Sequence, residues 1–257
     1  MPLAFTRGVS PRIVDCALTH LDRQPIDPDL AAAQHAAYEK ALRHSGFEVV
    51  RLPYLADDPD AVFVEDTAIL LGEHAVITRP GAASRADEVD STAAGLAPFL
   101  TIHRLGAGTL DGGDVLKIGK TLYVGQSSRT NAAGTEVLAK TVATLGFRVV
   151  PVELGRCLHL KTAVTFAGPD GAGRPTLLVN PDWVDPALFS GTEALAVAEG
   201  EPFGANAVHA GGRLIYAAGS PKTAARLRER GFTLIEVDLS ELQKAEAGGT
   251  CMSLIGD

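Results

Sequence analysis

The feature that most constrains this chain is an internal repeat. Four segments share one pattern, a small or polar lead-in followed by two apolar β-runs. They are residues 62–79 (VFVEDTAILLGEHAVITR), 110–124 (LDGGDVLKIGKTLYV), 159–180 (HLKTAVTFAG, then TLLVN) and 206–218 (NAVHAGGRLIYAA). Each pair of runs flanks a turn rich in Gly or other polar residues, the mark of a hairpin. The copies start about 45 to 50 residues apart, a spacing found in arrays and propellers. A fifth copy is split between the termini, with residues 249–255 (GTCMSLI) supplying one strand and residues 2–7 (PLAFTR) its partner. Pairing the two ends of the chain closes a ring.

Helical patterns follow the hairpins. Residues 28–44 place Leu30, Ala33, Ala37, Tyr38 and Leu42 at helical spacing, with Asp27 as N-cap, Pro28 in the first turn and Gly46 as a stop. Residues 131–145, closed by Gly146, and residues 221–230, opened by Ser220 and closed by Gly231, read the same way. Each leads into a β-rich run, at 47–52, 147–152 and 232–237, and residues 86–100 fill the same slot before 101–105. Residues 181–201 are a weak copy whose helix is short. The unit is strand, strand, helix, strand, used about five times. With no linker or low-complexity break, the expectation is one ring-like α/β domain spanning residues 1–257. An ordinary α+β domain is the alternative.

A formal net charge of −8 argues against nucleic acid as a partner, because phosphate binding needs clustered Lys and Arg. It suits a cationic small substrate, although acidity for solubility alone is common. The three cysteines, Cys16, Cys157 and Cys251, are odd in number and lack CxxC spacing, so neither a disulfide framework nor structural zinc is expected. The first residues lack the basic and apolar pattern of a signal peptide. No run reaches the roughly 18 apolar residues of a membrane span. The expected location is cytoplasmic, with no membrane partner.

If five copies surround one axis, equivalent positions converge there. The lead-in residues are Glu65 and Asp66, Asp111 and Asp114, His159 and Lys161, Asn206, and Cys251. Carboxylates, an imidazole and a thiol from distant parts of the chain would then share one site, which is a ligand-site signal.

FVEDTA, TRPGAASR, TLDGGDVL, GQSSRTN, LHLKT and GGTCMSL, in this order and spread over nearly the whole chain, resemble the signature segments of the dimethylarginine dimethylaminohydrolases, within the guanidino-group-modifying superfamily. The resemblance implies a five-bladed α/β propeller of pseudo-five-fold ββαβ repeats, in agreement with the repeat read from the residues. It also implies hydrolysis of N-omega-methylated arginine, dimethylarginine or monomethylarginine, to citrulline and a methylamine, with no cofactor and no metal.

The roles of single residues follow from the resemblance and from their chemistry. Cys251, after two glycines, is the expected nucleophile, attacking the guanidinium carbon to give a covalent thiouronium. Taken alone it reads as a buried small residue, as Cys157 does, while Cys16 is expected in a loop near the site mouth. His159 is the expected general acid and base, since a methylamine departs only with a proton and a water must later lose one. The other six histidines read as structural or exposed. Asp66 and Asp111 are expected to hold the guanidinium, Asp111 standing at the catalytic-acid position where some relatives carry Glu. Asp114 is read as a brace for its loop, and Glu65 as a substrate contact or pocket edge. Arg85 and Arg129 are candidates for the substrate α-carboxylate and Asp60 for its α-amine. By family analogy the backbone carbonyls of Leu18, on a flexible lid, and Ala245 add contacts.

An ordinary thiol titrates near ~8.5, and the neighbouring acids should raise that value in the empty site. A bound guanidinium at about 4 Å would counter with roughly 4 kcal/mol at a dielectric near 20, or about three pKa units. Cys251 is therefore expected to be a protonated thiol until its cationic substrate arrives. Arginine deiminase, acting on unmethylated arginine, is the nearest rival reading. An amidinotransferase, which would need an acceptor amine, and a non-catalytic propeller serving as a binding module are the others. A homodimer is left open.

Overall fold

The computed structural model of the chain describes residues 1–256. Its fifteen strands form five sheets of three. In each sheet two strands pair antiparallel, in four of the five as a hairpin, and a third returns parallel to the middle strand after a crossover. Parallel pairing forces such a crossover, and four of the five crossovers carry a helix: Pro28–His44, Glu88–Leu96, Ala132–Ala143 and Pro221–Glu229. The fourth sheet, Val164–Pro169, Pro175–Val179 and Glu193–Ala196, has only the single turn Pro186–Leu188 in that slot. This is the weak copy read from residues 181–201.

The split fifth copy closes the ring. Leu3–Thr6 pairs antiparallel with Leu254–Ile255, Ala4 facing Ile255 and Phe5 facing Leu254, and pairs parallel with Glu48–Arg51. The architecture is the expected pseudo-five-fold α/β propeller. Of the two helix starts read from the sequence, Asp27 caps its helix through its side chain and Ser220 does not. The Asn131 side chain also accepts a backbone N–H at its helix N-terminus.

Apolar burial is divided among five clusters, one between each pair of neighbouring sheets. Leu70 and Ile77 of one sheet meet Phe5 and Leu254 of the next in one cluster. Ile69 and Val76 meet Val115, Leu122 and Val124 in another, where the helix residues Leu138 and Val142 complete the packing. Alternating strand residues thus serve opposite neighbours. The core lies between the blades, which leaves the axis to polar groups.

Leu138→Ala tests this division, because Leu138 is wholly buried. Denaturant unfolding should show a loss of about 2–5 kcal/mol with an unchanged m-value. A loss under about 1 kcal/mol would mean that this interblade cluster is not a packed core. Among the described residues no helix is long and apolar enough to cross a membrane.

Candidate active site

Short helical turns carry the polar lead-ins to the axis. Glu65 and Asp66 lie in Val64–Thr67, Asp111 precedes Gly112–Asp114, His159 precedes Leu160–Ala163, and Cys251 lies in Thr250–Met252. These turns pack on one another. Their approach demands glycine at position 113. A Cβ there would stand 2.7 Å from Asp66 Oδ1 and 2.8 Å from His159 Nδ1. Without one, the Gly113 N–H donates to Asp66 Oδ1 at 3.1 Å.

His159 sits buried between two carboxylates. Its Nε2 is 3.0 Å from Asp111 Oδ2, and its Nδ1 is 3.8 Å from Asp66 Oδ1. The Gly81 N–H donates to the other Asp111 oxygen at 2.8 Å. Arg85 Nη1 donates to Asp66 Oδ2 at 2.5 Å, and Arg85 itself is gripped by Glu88, which accepts from Nε at 3.0 Å and from Nη2 at 2.8 Å. Asp114 points elsewhere. It accepts from Ser127 Oγ at 2.6 Å and from the Leu160 N–H at 3.0 Å, and so fastens the turn after His159.

Charge follows this geometry. Burial alone would lower the His159 pKa, but the Asp66 charge, the Asp111 hydrogen bond and Asp114 outweigh it and raise it from 6.5 to about 10. The imidazole is therefore protonated at neutral pH. Burial would raise Asp66, yet the His159 and Arg85 charges hold it below the usual carboxylate value. Cys251 moves the other way. Burial, then the charges of Glu65 and Asp66, push it well above an ordinary thiol, the direction anticipated from the sequence.

A folded-state pKa raised above its unfolded value stabilises fully below the unfolded value and loses that effect as pH climbs to the folded one. His159 therefore contributes its full stabilisation below about 6.5 and loses it progressively up to about 10. The stability gap between the native chain and His159→Gln should narrow across this window in denaturant unfolding at a series of pH values. A gap that widens with pH would contradict the charged imidazole.

Cys251, His159, Asp66, Asp60, Arg85, Arg129 and Ala245 line one cavity of about 30 Å³. Three other residues singled out from the sequence lie around it. Asp111 stands behind His159. Leu18 packs on the adjoining hydrophobic cluster, next to the lining residue Ala17. Glu65 accepts from Lys161 Nζ and from Thr250 Oγ1, both at 2.8 Å, and lines a second cavity of about 490 Å³. Neighbouring residues of the same turns thus face different cavities, and the turns form the partition between them.

Cys16 lies in the loop after the turn Pro11–Asp15, directly before the cavity-lining Ala17, with its side chain fully buried in the core. A three-residue helical period puts Ile13 and Cys16 on one side. Cys157 is buried as expected. Asp66, Asp111 and His159 offer donor atoms within 4.8 Å of one another, the spacing a cation would need. Each carboxylate oxygen there already has a partner: Gly113, Arg85, Gly81 or His159.

Two relatives decide the family. The chain is 42% identical over 261 residues to the N(G),N(G)-dimethylarginine dimethylaminohydrolase of Streptomyces coelicolor, with 98% of this chain and 95% of that one covered. It is 34% identical over 232 residues to the protein of the same name from Pseudomonas aeruginosa, with 88% and 89% covered. The chain belongs to the dimethylarginine dimethylaminohydrolase family. It is thereby a hydrolase acting on C–N bonds. A dimethylarginine dimethylaminohydrolase mutant from Pseudomonas aeruginosa, solved in complex with citrulline, superposes with a TM-score of 0.92 at 32% identity over 99% of both chains. The N-terminal domain of the cyanobacterial arginine dihydrolase ArgZ has a TM-score of 0.85 at 22% identity, over 99% of this chain and 97% of that one, and shares the fold. No protein-family profile matches the chain.

Proposed function

We propose that the protein hydrolyses N-omega-methylated L-arginine to L-citrulline and a methylamine through a covalent intermediate on Cys251. One observation carries this reading. A thiol, an imidazolium and an ionised carboxylate line one narrow cavity, with Asp60, Arg85 and Arg129 beside them. A guanidinium fits the acidic end, and an amino acid's carboxylate and amine fit the rest.

In this scheme Asp66 accepts from the substrate guanidinium. Arg85 and Arg129 take the α-carboxylate, Asp60 takes the α-amine, and the carbonyls of Leu18 and Ala245 add contacts. The bound cation draws the Cys251 thiol towards thiolate. Sulfur then attacks the guanidinium carbon. His159, held through Nε2 by Asp111, presents Nδ1 to the cavity and gives its proton to the departing methylamine as the C–N bond breaks. The neutral imidazole next takes a proton from water. Hydroxide adds to the thiouronium carbon, the C–S bond breaks, and citrulline and the free thiol result. The thiol proton leaves to solvent at the start, because His159 is already protonated, and the protonated citrulline oxygen returns one to the sulfur at the end, so the scheme draws on no cofactor.

Incubation with asymmetric dimethylarginine, monomethylarginine and arginine in separate reactions tests the reading. The expected result is citrulline with one equivalent of dimethylamine or methylamine from the first two. Citrulline and ammonia from arginine alone would replace it with a deiminase.

A further inference from the structure

The segment after Cys16 is strapped over the cavity by unequal ties. The Ala17 N–H donates to both Asp60 oxygens, at 3.2 and 3.1 Å, and Arg129 Nη2 donates to Thr19 Oγ1 at 3.1 Å. These partners are the groups assigned above to the substrate's α-amine and α-carboxylate. The third tie is of another kind. The Glu246 carboxylate accepts three consecutive backbone N–H groups, from Thr19 at 2.9 Å, His20 at 2.5 Å and Leu21 at 2.6 Å. Among the described residues Glu246 is also the one non-glycine with positive φ, at 60°. A residue with a Cβ keeps that conformation where its surroundings over-determine it, and such positions gather at functional sites.

We propose that Glu246 is a positioning residue that holds the strap of residues 17–21, and with it Leu18, over bound substrate. A cavity of about 30 Å³ admits water and not an amino acid, so the strap must lift for entry. Once substrate is bound, its amine claims Asp60 and its carboxylate claims Arg129, and both ties pass from the strap to the ligand. Glu246 has no partner on the ligand in this assignment. It becomes the polar tie that closes the strap, with a full negative charge spread over three amides. The exchange of Asp60 and Arg129 rests on the methylarginine reading; the cradle around Glu246 does not.

Two variants and two readouts test it. Glu246→Gln keeps the shape but loses the charge and one acceptor oxygen. Glu246→Gly removes the carboxylate and also relieves the positive φ, so it guards against misfolding. In both, the amides of Thr19, His20 and Leu21 should exchange hydrogen about tenfold faster or more than in the native protein, with no change in residues 121–126. The KM for asymmetric dimethylarginine should rise about tenfold, with kcat held within about threefold. Unchanged exchange at residues 19–21 would overturn the proposal. So would a fall in kcat and thermal stability with KM unmoved, which is the mark of a merely structural role. If the native protein does not turn over methylarginine at all, the substrate reading fails, and the exchange measurement still decides the role of Glu246.

Discussion

Cys251→Ser should lower kcat by about 10⁵-fold while leaving substrate affinity within a fewfold of the native value. A serine hydroxyl in the same place meets the same burial, and the same charges of Glu65 and Asp66, that hold the thiol protonated. The substrate cation supplies roughly three pKa units at best, which favours the thiolate and falls far short of an alkoxide. The guanidinium and amino-acid contacts assigned to Asp66, Asp60 and Arg129 do not involve sulfur. Equilibrium binding of asymmetric dimethylarginine to the variant, beside its turnover, separates the two effects. Substantial turnover by the serine variant would remove Cys251 from the reaction.

His159→Gln should cost about 10³ to 10⁴ in kcat. The native imidazole begins protonated, with its pKa at about 10, because the Asp66 charge, the Asp111 hydrogen bond and Asp114 outweigh its burial. It is therefore an acid in wait for the leaving amine, and after giving up that proton it is the base for water. Glutamine does neither. The loss should shrink in the first step for an S-alkyl isothiourea analogue, whose thiolate departs without a proton. Equal losses with both leaving groups would assign His159 to binding rather than proton transfer.

Most of the ring was legible because hairpins announce themselves in short windows. Residues 68–77 and 115–124 alternate around Gly-containing turns, and the split pair formed by the two termini carries the same signature at both ends of the chain. The short crossover at residues 181–201 was legible as a lapse in helical period. The site was legible to the extent that repeat phasing brings Asp66, Asp111, His159 and Cys251 to one axis. Other features were beyond reach for a physical reason. Glu246 meets Thr19, His20 and Leu21 across more than 220 residues of sequence, and nothing local in AEAGG marks its positive φ. Glu88 reads as an ordinary acid in the first turn of a helix until Arg85 is seen folded back onto it. Lys161 stood in the LHLKT segment, but its partner Glu65 lies 96 residues away. The burial of Cys16 was not legible because the short 3₁₀ turn before it has no amphipathic stripe long enough to show which side is buried.

The central claim is that Cys251 displaces the methylated amine and carries the rest of the substrate as a thiouronium. Rapid quenching followed by mass spectrometry of the Cys251 peptide tests it most directly. Asymmetric dimethylarginine and monomethylarginine should leave the same adduct mass, because each has lost its methylated nitrogen before water arrives. Turnover in ¹⁸O water should then place one ¹⁸O in citrulline. Adducts of different mass from the two substrates, or citrulline formed with Cys251 never modified, would contradict the account.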